Sequence, residues 1–218
     1  MSGTSETPAE KAARDRPLLA IVLKLIAMFL FSLMFACVKW VGPTIPVGEI
    51  VFFRASIGML MIVLAALLTG GPSLLATKRL GTHATRSLLG VTAMFCNFLA
   101  VTFLPLADAT AIAFAAPMFT VVLAVLILKE RVHIFRWSAV IIGFAGVLVI
   151  IAEGGPGAGS VNLIGALFAL TGAGLSSLAM ITLRRMSAHE HSEAISFYFM
   201  LTSSFVGLST ILFGWKMP

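Results

Sequence analysis

The chain has 218 residues, 59% of them hydrophobic and only 11% charged, with a mean hydropathy of +1.05. A soluble globular domain carries about 25% charged residues, so the composition excludes one and makes the lipid bilayer the first partner of an integral membrane protein. The net charge of +6 would suit nucleic acid, but its distribution assigns it to membrane topology and implies no nucleic-acid partner.

Residues 1–16 are small and polar and end in Lys11, Arg14 and Arg16, a pattern that predicts a disordered cytoplasmic tail. The apolar run 17–38 exceeds the roughly 7–15 residues of a signal-peptide core, so it predicts an uncleaved first span. Six more spans are predicted at 48–68, 87–106, 109–128, 137–152, 161–183 and 194–214. The fifth is short and is expected to borrow Phe135 and Arg136 at its edge. The expected fold is therefore an all-α polytopic membrane protein with seven transmembrane helices.

Lys and Arg concentrate on the loops of one side, including Lys78, Arg79, Arg86, Lys129, Arg131, Arg136, Arg184 and Arg185, whereas the other side holds Lys216. The positive-inside rule places the N-terminus in the cytoplasm, and the expected location is a bacterial inner membrane. Both cysteines, Cys37 and Cys96, fall in apolar runs and are expected to be buried and free.

A shift of 144 residues sets Ser32 over Ser176, Glu49 over Glu193, Phe53 over Phe197 and Gly70 over Gly214, and keeps span boundaries in step. Five spans is an odd number, so a second copy enters the membrane upside down. The expected organisation is a five-helix repeat at 17–152, a Gly-rich outer linker at 153–160, and an incomplete inverted repeat at 161–218. Either a homodimeric partner or second chain completes such a fold, or the chain is a fragment.

The fourth span carries Pro117 near its middle. Proline has no N–H, so the carbonyl of Ala113 loses its partner and the helix can bend. Asn97 on the third span lies about as far from the intervening turn as Pro117, roughly 15 Å. An amide and a freed carbonyl at the midplane can hydrogen-bond a polar substrate; the plainer role is helix–helix glue and a kink. Glu49 and Arg54 open the second span about 140° apart, too far round the helix to pair easily. Lys39 is expected to meet Glu49 as an outer gate. Arg54, one turn deeper, is a candidate for attracting an anionic group such as a carboxylate.

Gly165, Ala169, Ala173 and Ser177 form a small-residue stripe for close packing, and Gly143 and Gly146 are expected to do similar work in span five. Asp108 is expected to cap the fourth span, Glu130 to tie the cytoplasmic turn, and Trp40 and Trp215 to sit in an aromatic belt. His189-Glu190-His191 lacks metal-site spacing and is expected to be a solvated loop. No nucleotide loop, nucleophile elbow or metal motif is present, so neither an enzyme nor a cofactor is expected.

The strings LPLADATAIAFAAPMFTVVLAVLILKERV at 104–132, PVGEIVFFRAS at 46–56 and RWSAVIIGFAGVLVI at 136–150 resemble the signature of the EamA-type carriers of the drug/metabolite transporter superfamily. The first half is also similar to the branch that includes S-adenosylmethionine uptake carriers. The resemblance implies ten spans in two inverted five-span halves around a central cavity. It also implies transport of small organic metabolites, often amino acids and their relatives, without ATP. This sequence departs from that pattern by ending after seven spans. The expected function is a secondary carrier of a small organic substrate working by alternating access. The alternative is a non-transporting interaction subunit or an inactive truncated carrier.

Overall fold

The computed structural model describes residues 17–77, 79–129, 132–153, 162–187 and 189–215. The tail, Lys78, Glu130, Arg131, the glycine-rich segment 154–161 and Lys216 lie outside the described residues. Among the described residues every regular element is helical: α1 (Pro17–Val41), α2 (Val47–Thr69), a 3-10 turn (Pro72–Leu75), α3 (Leu80–Phe103), α4 (Leu106–Ala113), α5 (Ala115–Leu128), α6 (Ile134–Glu153), α7 (Leu163–Met186), α8 (Ser192–Ser209) and a second 3-10 turn (Thr210–Phe213). Taking α4 and α5 as one span, seven helices among the described residues are long and apolar enough to cross a membrane.

Two boundaries differ from expectation for local reasons. The third span begins at Leu80 rather than 87, because its polar first turns are helical and press His83 into the protein. It ends at Phe103 rather than 106, because Leu104 precedes Pro105 and is driven to extended backbone, φ −113° and ψ 156°. The fourth span breaks where the proline predicts. Helix α4 stops at Ala113, and the amide of Phe114 divides its bonding between the carbonyls of Thr110 (3.2 Å) and Ala111 (3.3 Å) before α5 resumes. The proline ring and the carbonyl four residues back cannot share one turn, which puts the break on the N-terminal side of Pro117.

Helix α7 is the packing centre. Gly165, Ala169, Ala173 and Ser177 are all buried, so the small face is realised as a contact surface against α3, α4 and α5. A methyl group on Gly165 would lie 2.7 Å from Leu104 Cγ, and one on Gly172 would lie 2.5 Å from Asn97 Oδ1. Lipid gives little hydrophobic drive for helix association, so this close approach supplies the van der Waals contact instead. In α6, a methyl group on Gly143 would collide with Met118, whereas one on Gly146 would meet open space. Gly146 is thus not part of the packing seam that the sequence suggested.

Helices α2 and α8 cross in opposite directions. Gly48 accommodates Thr210, Gly207 lies against the backbone of Phe52, Ser56 Oγ is 3.3 Å from Ser204 Oγ, and Gly58 meets Met200. The paired positions rise on one helix as they fall on the other, so the two helices run antiparallel, and only near Gly58 and Met200 do they meet close to the residue that the 144-residue shift assigns. Helix α1 packs mainly on α3, through a perpendicular pair of Phe35 and Phe98 rings 5.7 Å apart, and turns Leu18, Leu25 and Phe29 outward. Cys37 is on that outer surface, not buried as expected, while Cys96 is buried; both are free.

The Leu80 end of α3 is joined to the turn between α7 and α8 by a buried polar contact. His83 of α3 places Nε2 3.3 Å from Glu190 Oε2, on the turn between α7 and α8, and its ring packs 4.7 Å from that of Tyr198. Glu190 is 11% exposed, so the expected solvated loop is at this position turned into the protein. Burial raises the affinity of the Glu190 carboxyl for its proton. Hydrogen bonds to Thr77 and His83, with the charges of His83 and Arg79, outweigh it and hold the carboxyl below its usual range.

Two outcomes follow from this packing. Gly207→Ala places a methyl group 2.8 Å from the Phe52 amide and should lower stability by about 1–3 kcal/mol in thermal unfolding in detergent, while Gly146→Ala should not. The lowered Glu190 carboxyl contributes stability above the ordinary value of about 4.3 and loses it as pH falls through the lower folded-state value. Glu190→Gln should therefore lose thermal stability relative to wild type at neutral pH and converge with it in acid. Parallel curves across that range would contradict the assignment.

Candidate functional site

The sequence directs attention to Asn97, Pro117, Ala113 and Arg54, and the structure arranges them around a fifth residue. Ser176, on α7, borders three adjoining cavities. The first, ≈ 280 Å³, lies between Asn97 of α3 and the end of α4, where Ala113 and Phe114 form its wall. The second, ≈ 290 Å³, runs along α3 between Asn97 and Arg86 and takes in Arg54 of α2. The third, ≈ 450 Å³, lies below the helix break, with Pro117 and Thr120 on one side and Arg136 and Arg184 on the other. Their volumes are at the lower end of the several hundred Å³ typical of small-molecule sites.

The side chains that make this region polar are positioned by their helices. Asn97 donates from Nδ2 to Ser176 Oγ over 3.4 Å, and the absence of a side chain at Gly172 leaves room for its amide. Ser177, one residue on, turns the other way. Its hydroxyl lies 2.6 Å from the Ala116 carbonyl and 2.8 Å from that of Ala173, tying the start of α5 to α7. Consecutive residues on a helix are about 100° apart, so Ser177 packs against α5 and borders only the third cavity, while its neighbour borders all three. Asn97 shares one cavity with Ala113 and another with Arg54, while Pro117 borders the third. The four sequence candidates are thus adjacent without forming a single pocket, and Ser176 connects them.

Arg54 and Arg86 both reach the second cavity. Arg54 donates to Met94 Sδ at 2.9 Å, a weak acceptor. Arg86 lies over the Phe199 ring, 5.1 Å from its centroid. No acidic side chain is among the described residues lining any of the three cavities. The second cavity, with Arg54 and Arg86, and the third, with Arg136 and Arg184, are therefore cationic within apolar walls that weaken screening, whereas the described lining of the first carries no charge.

At the C-terminal end of α3 the arrangement departs from expectation. Lys39 donates to the carbonyl oxygens of Leu104 (2.6 Å) and Thr102 (3.5 Å), so its ammonium closes the exposed end of α3. Helix C-termini leave carbonyls without partners and carry partial negative charge, which suits a lysine there. This clamp takes the place, at the Lys39 end, of the gate expected with Glu49; Glu49 itself is buried. Asp108 is the third residue of α4 and makes no capping hydrogen bond; its Oδ1 is buried without a partner. Trp40 is exposed, as a belt residue would be, whereas Trp215 folds onto Phe52 and hydrogen-bonds Thr210 Oγ1 at 3.0 Å.

Ser176 and Arg86 are the residues that sequence reasoning left without a site role. Ser176 was visible only as the repeat partner of Ser32, and Arg86 only as one of the inner-side charges.

Comparison with known proteins places the chain among membrane transporters. The EamA-like transporter family profile matches residues 18–152. The chain is similar to the pseudopaline exporter CntI of Pseudomonas aeruginosa, 32% identical over 201 residues, covering 91% of this chain and 68% of that protein. It is also similar to the S-adenosylmethionine uptake transporter of Rickettsia prowazekii, 32% identical over 131 residues, covering 58% and 44%. A further relative, an uncharacterized transporter of Helicobacter pylori, is 30% identical over 198 residues, covering 90% and 65%. The chain thus spans about two thirds of the length of the relatives it matches most fully. No solved structure matches significantly. These relatives are named as membrane transporters rather than enzymes, and the chain belongs to the EamA-like transporter family.

Proposed function

We propose that this chain forms the cargo-binding part of a secondary carrier for a small organic metabolite, of the amino-acid-like kind, in a bacterial inner membrane with its N-terminus in the cytoplasm. The observation that carries this reading is the convergence on Ser176 of three polar-edged cavities, at the depth where α4 and α5 are interrupted. A helix break at the midplane exposes backbone groups only where they line a cavity, as discontinuous helices do in secondary transporters. Asn97 and Ser176 supply an amide and a hydroxyl for polar groups of the cargo, Ala113 lends a carbonyl freed by Pro117, and Arg54 supplies positive charge.

The opposed crossing of α2 and α8 supports an inverted repeat, with residues 17–152 as the first copy and 161–218 as the start of the second. Alternating access then consists of rocking one copy against the other, with the small-residue contacts of α7 as the sliding surface. The His83–Glu190 contact joins the inner ends of both copies and is a candidate inner latch. The relatives' names support both export and uptake as directions that this architecture can serve. A second copy, or a second chain, would extend the wall around the cavities.

The test is uptake by proteoliposomes containing the purified chain, screened across amino acids and related metabolites. Asn97→Ala, Ser176→Ala and Arg54→Ala should each reduce the flux of a transported compound by about tenfold or more, the expected loss for one buried cargo hydrogen bond. Unchanged flux in all three would remove the site assignment.

A further inference from the structure

The second cavity holds more positive charge than the fold itself uses. Arg86 has Nε and Nη1 buried with no hydrogen-bond partner. The Phe199 ring compensates the guanidinium only through its face. Arg54, on the opposing helix, spends its described hydrogen bond on a thioether sulfur. A guanidinium has five N–H donors in a planar fork and stays charged in proteins, so neither side chain can escape by losing a proton. Unpaired charge within a membrane is costly and marks a functional position by default.

The space between them is also built. A methyl group on Gly90 would lie 2.5 Å from Arg86 Nη1 and 2.9 Å from Phe199 Cε2, so the glycine makes room for the guanidinium beside the ring. Gly90 and Met94 follow Arg86 at four-residue intervals, which sets Arg86, Gly90 and the Arg54 contact on one face of α3. Asn97 and Ser176 close the far end of the cavity, about 16 Å along the helix from Arg86.

We propose that Arg54 and Arg86 form a paired anion site, and that the cargo carries two anionic groups of the carboxylate type on a short organic body. One carboxylate occupies the fork of Arg86 and the other that of Arg54, while Asn97 and Ser176 hold a further polar substituent. This rests on the carrier reading and narrows its substrate class. Two carboxylates would satisfy the orphaned donors and cancel the charge, since bidentate guanidinium–carboxylate bonds are among the stronger ones available. A net-anionic lipid headgroup offers related chemistry, so the experiment separates the two sources.

The test uses the full chain in phosphatidylcholine nanodiscs, with thermal unfolding followed while dicarboxylates of three to six carbons are titrated against the matched neutral diamides. At least one dicarboxylate should raise the unfolding midpoint saturably, and its diamide should not. Arg86→Gln and Arg54→Gln should each weaken apparent affinity by about tenfold or more. Gly90→Ala, which crowds the Arg86 fork while keeping both charges, should weaken it as well and serves if a glutamine variant does not fold. No stabilisation by any dicarboxylate beyond its diamide overturns the proposal. So does stabilisation seen only on replacing phosphatidylcholine with phosphatidylglycerol, which would make the site a lipid seat. If neutral or zwitterionic compounds cross liposomes in an Asn97-dependent way while dicarboxylates do not bind, the carrier reading stands and this inference falls. If dicarboxylates bind but no solute crosses, the anion site stands and the carrier reading falls.

Discussion

The structure depends on how closely α7 can approach its neighbours. Inside a bilayer, burying apolar side chains gains little, because lipid tails are as apolar as leucine. Association must come from dense contact between backbones, and α7 achieves it with Gly165, Ala169, Gly172, Ala173 and Ser177 buried along its length. That single face brings α3 to one side and the broken α4–α5 span to the other. Without it, Asn97 and Ala113 would not border a common space.

From this contact the remaining features follow in order. Pro117 interrupts the fourth span, and α7 is the helix that faces the interruption. Ser177 stitches the start of α5 to α7, so the adjacent Ser176 is presented to the cavities with little freedom. Polar groups therefore accumulate at mid-depth, where they are expensive, while the outer faces of α1 and α2 remain apolar toward lipid. The C-terminal end of α3 is closed by Lys39 and the N-terminal end by His83 and Glu190. The expensive groups are thus enclosed between two polar clasps.

Much of the fold was legible because hydropathy and span length are direct physical requirements of the bilayer. The helix break was legible as well, since proline removes a donor wherever it stands. Three features were not. The early start of α3 at Leu80 was hidden by polar residues that hydropathy assigns to a loop, because the pairing of His83 with Glu190 joins positions 107 apart in sequence. The partner of Lys39 was hidden because a helix C-terminus carries no side-chain signal. Ser176 was hidden by its neighbour: periodicity identifies the small face that includes Ser177, but not which helix that face presses upon, nor which hydroxyl is left facing the cavity. Arg86 illustrates a related limit. Its charge fits the positive-inside rule, and only its buried, partnerless donors mark it as something more.

The central claim is that Ser176 faces a water-accessible cargo space at mid-membrane depth. The most direct test is Ser176→Cys in a background carrying Cys37→Ala and Cys96→Ala, treated in membranes with a charged methanethiosulfonate reagent. Leu64→Cys in the same background serves as the lipid-facing control, since Leu64 lies on the exposed side of α2. The account predicts rapid modification at position 176 and little at position 64. Equal or absent reactivity at both positions would contradict it.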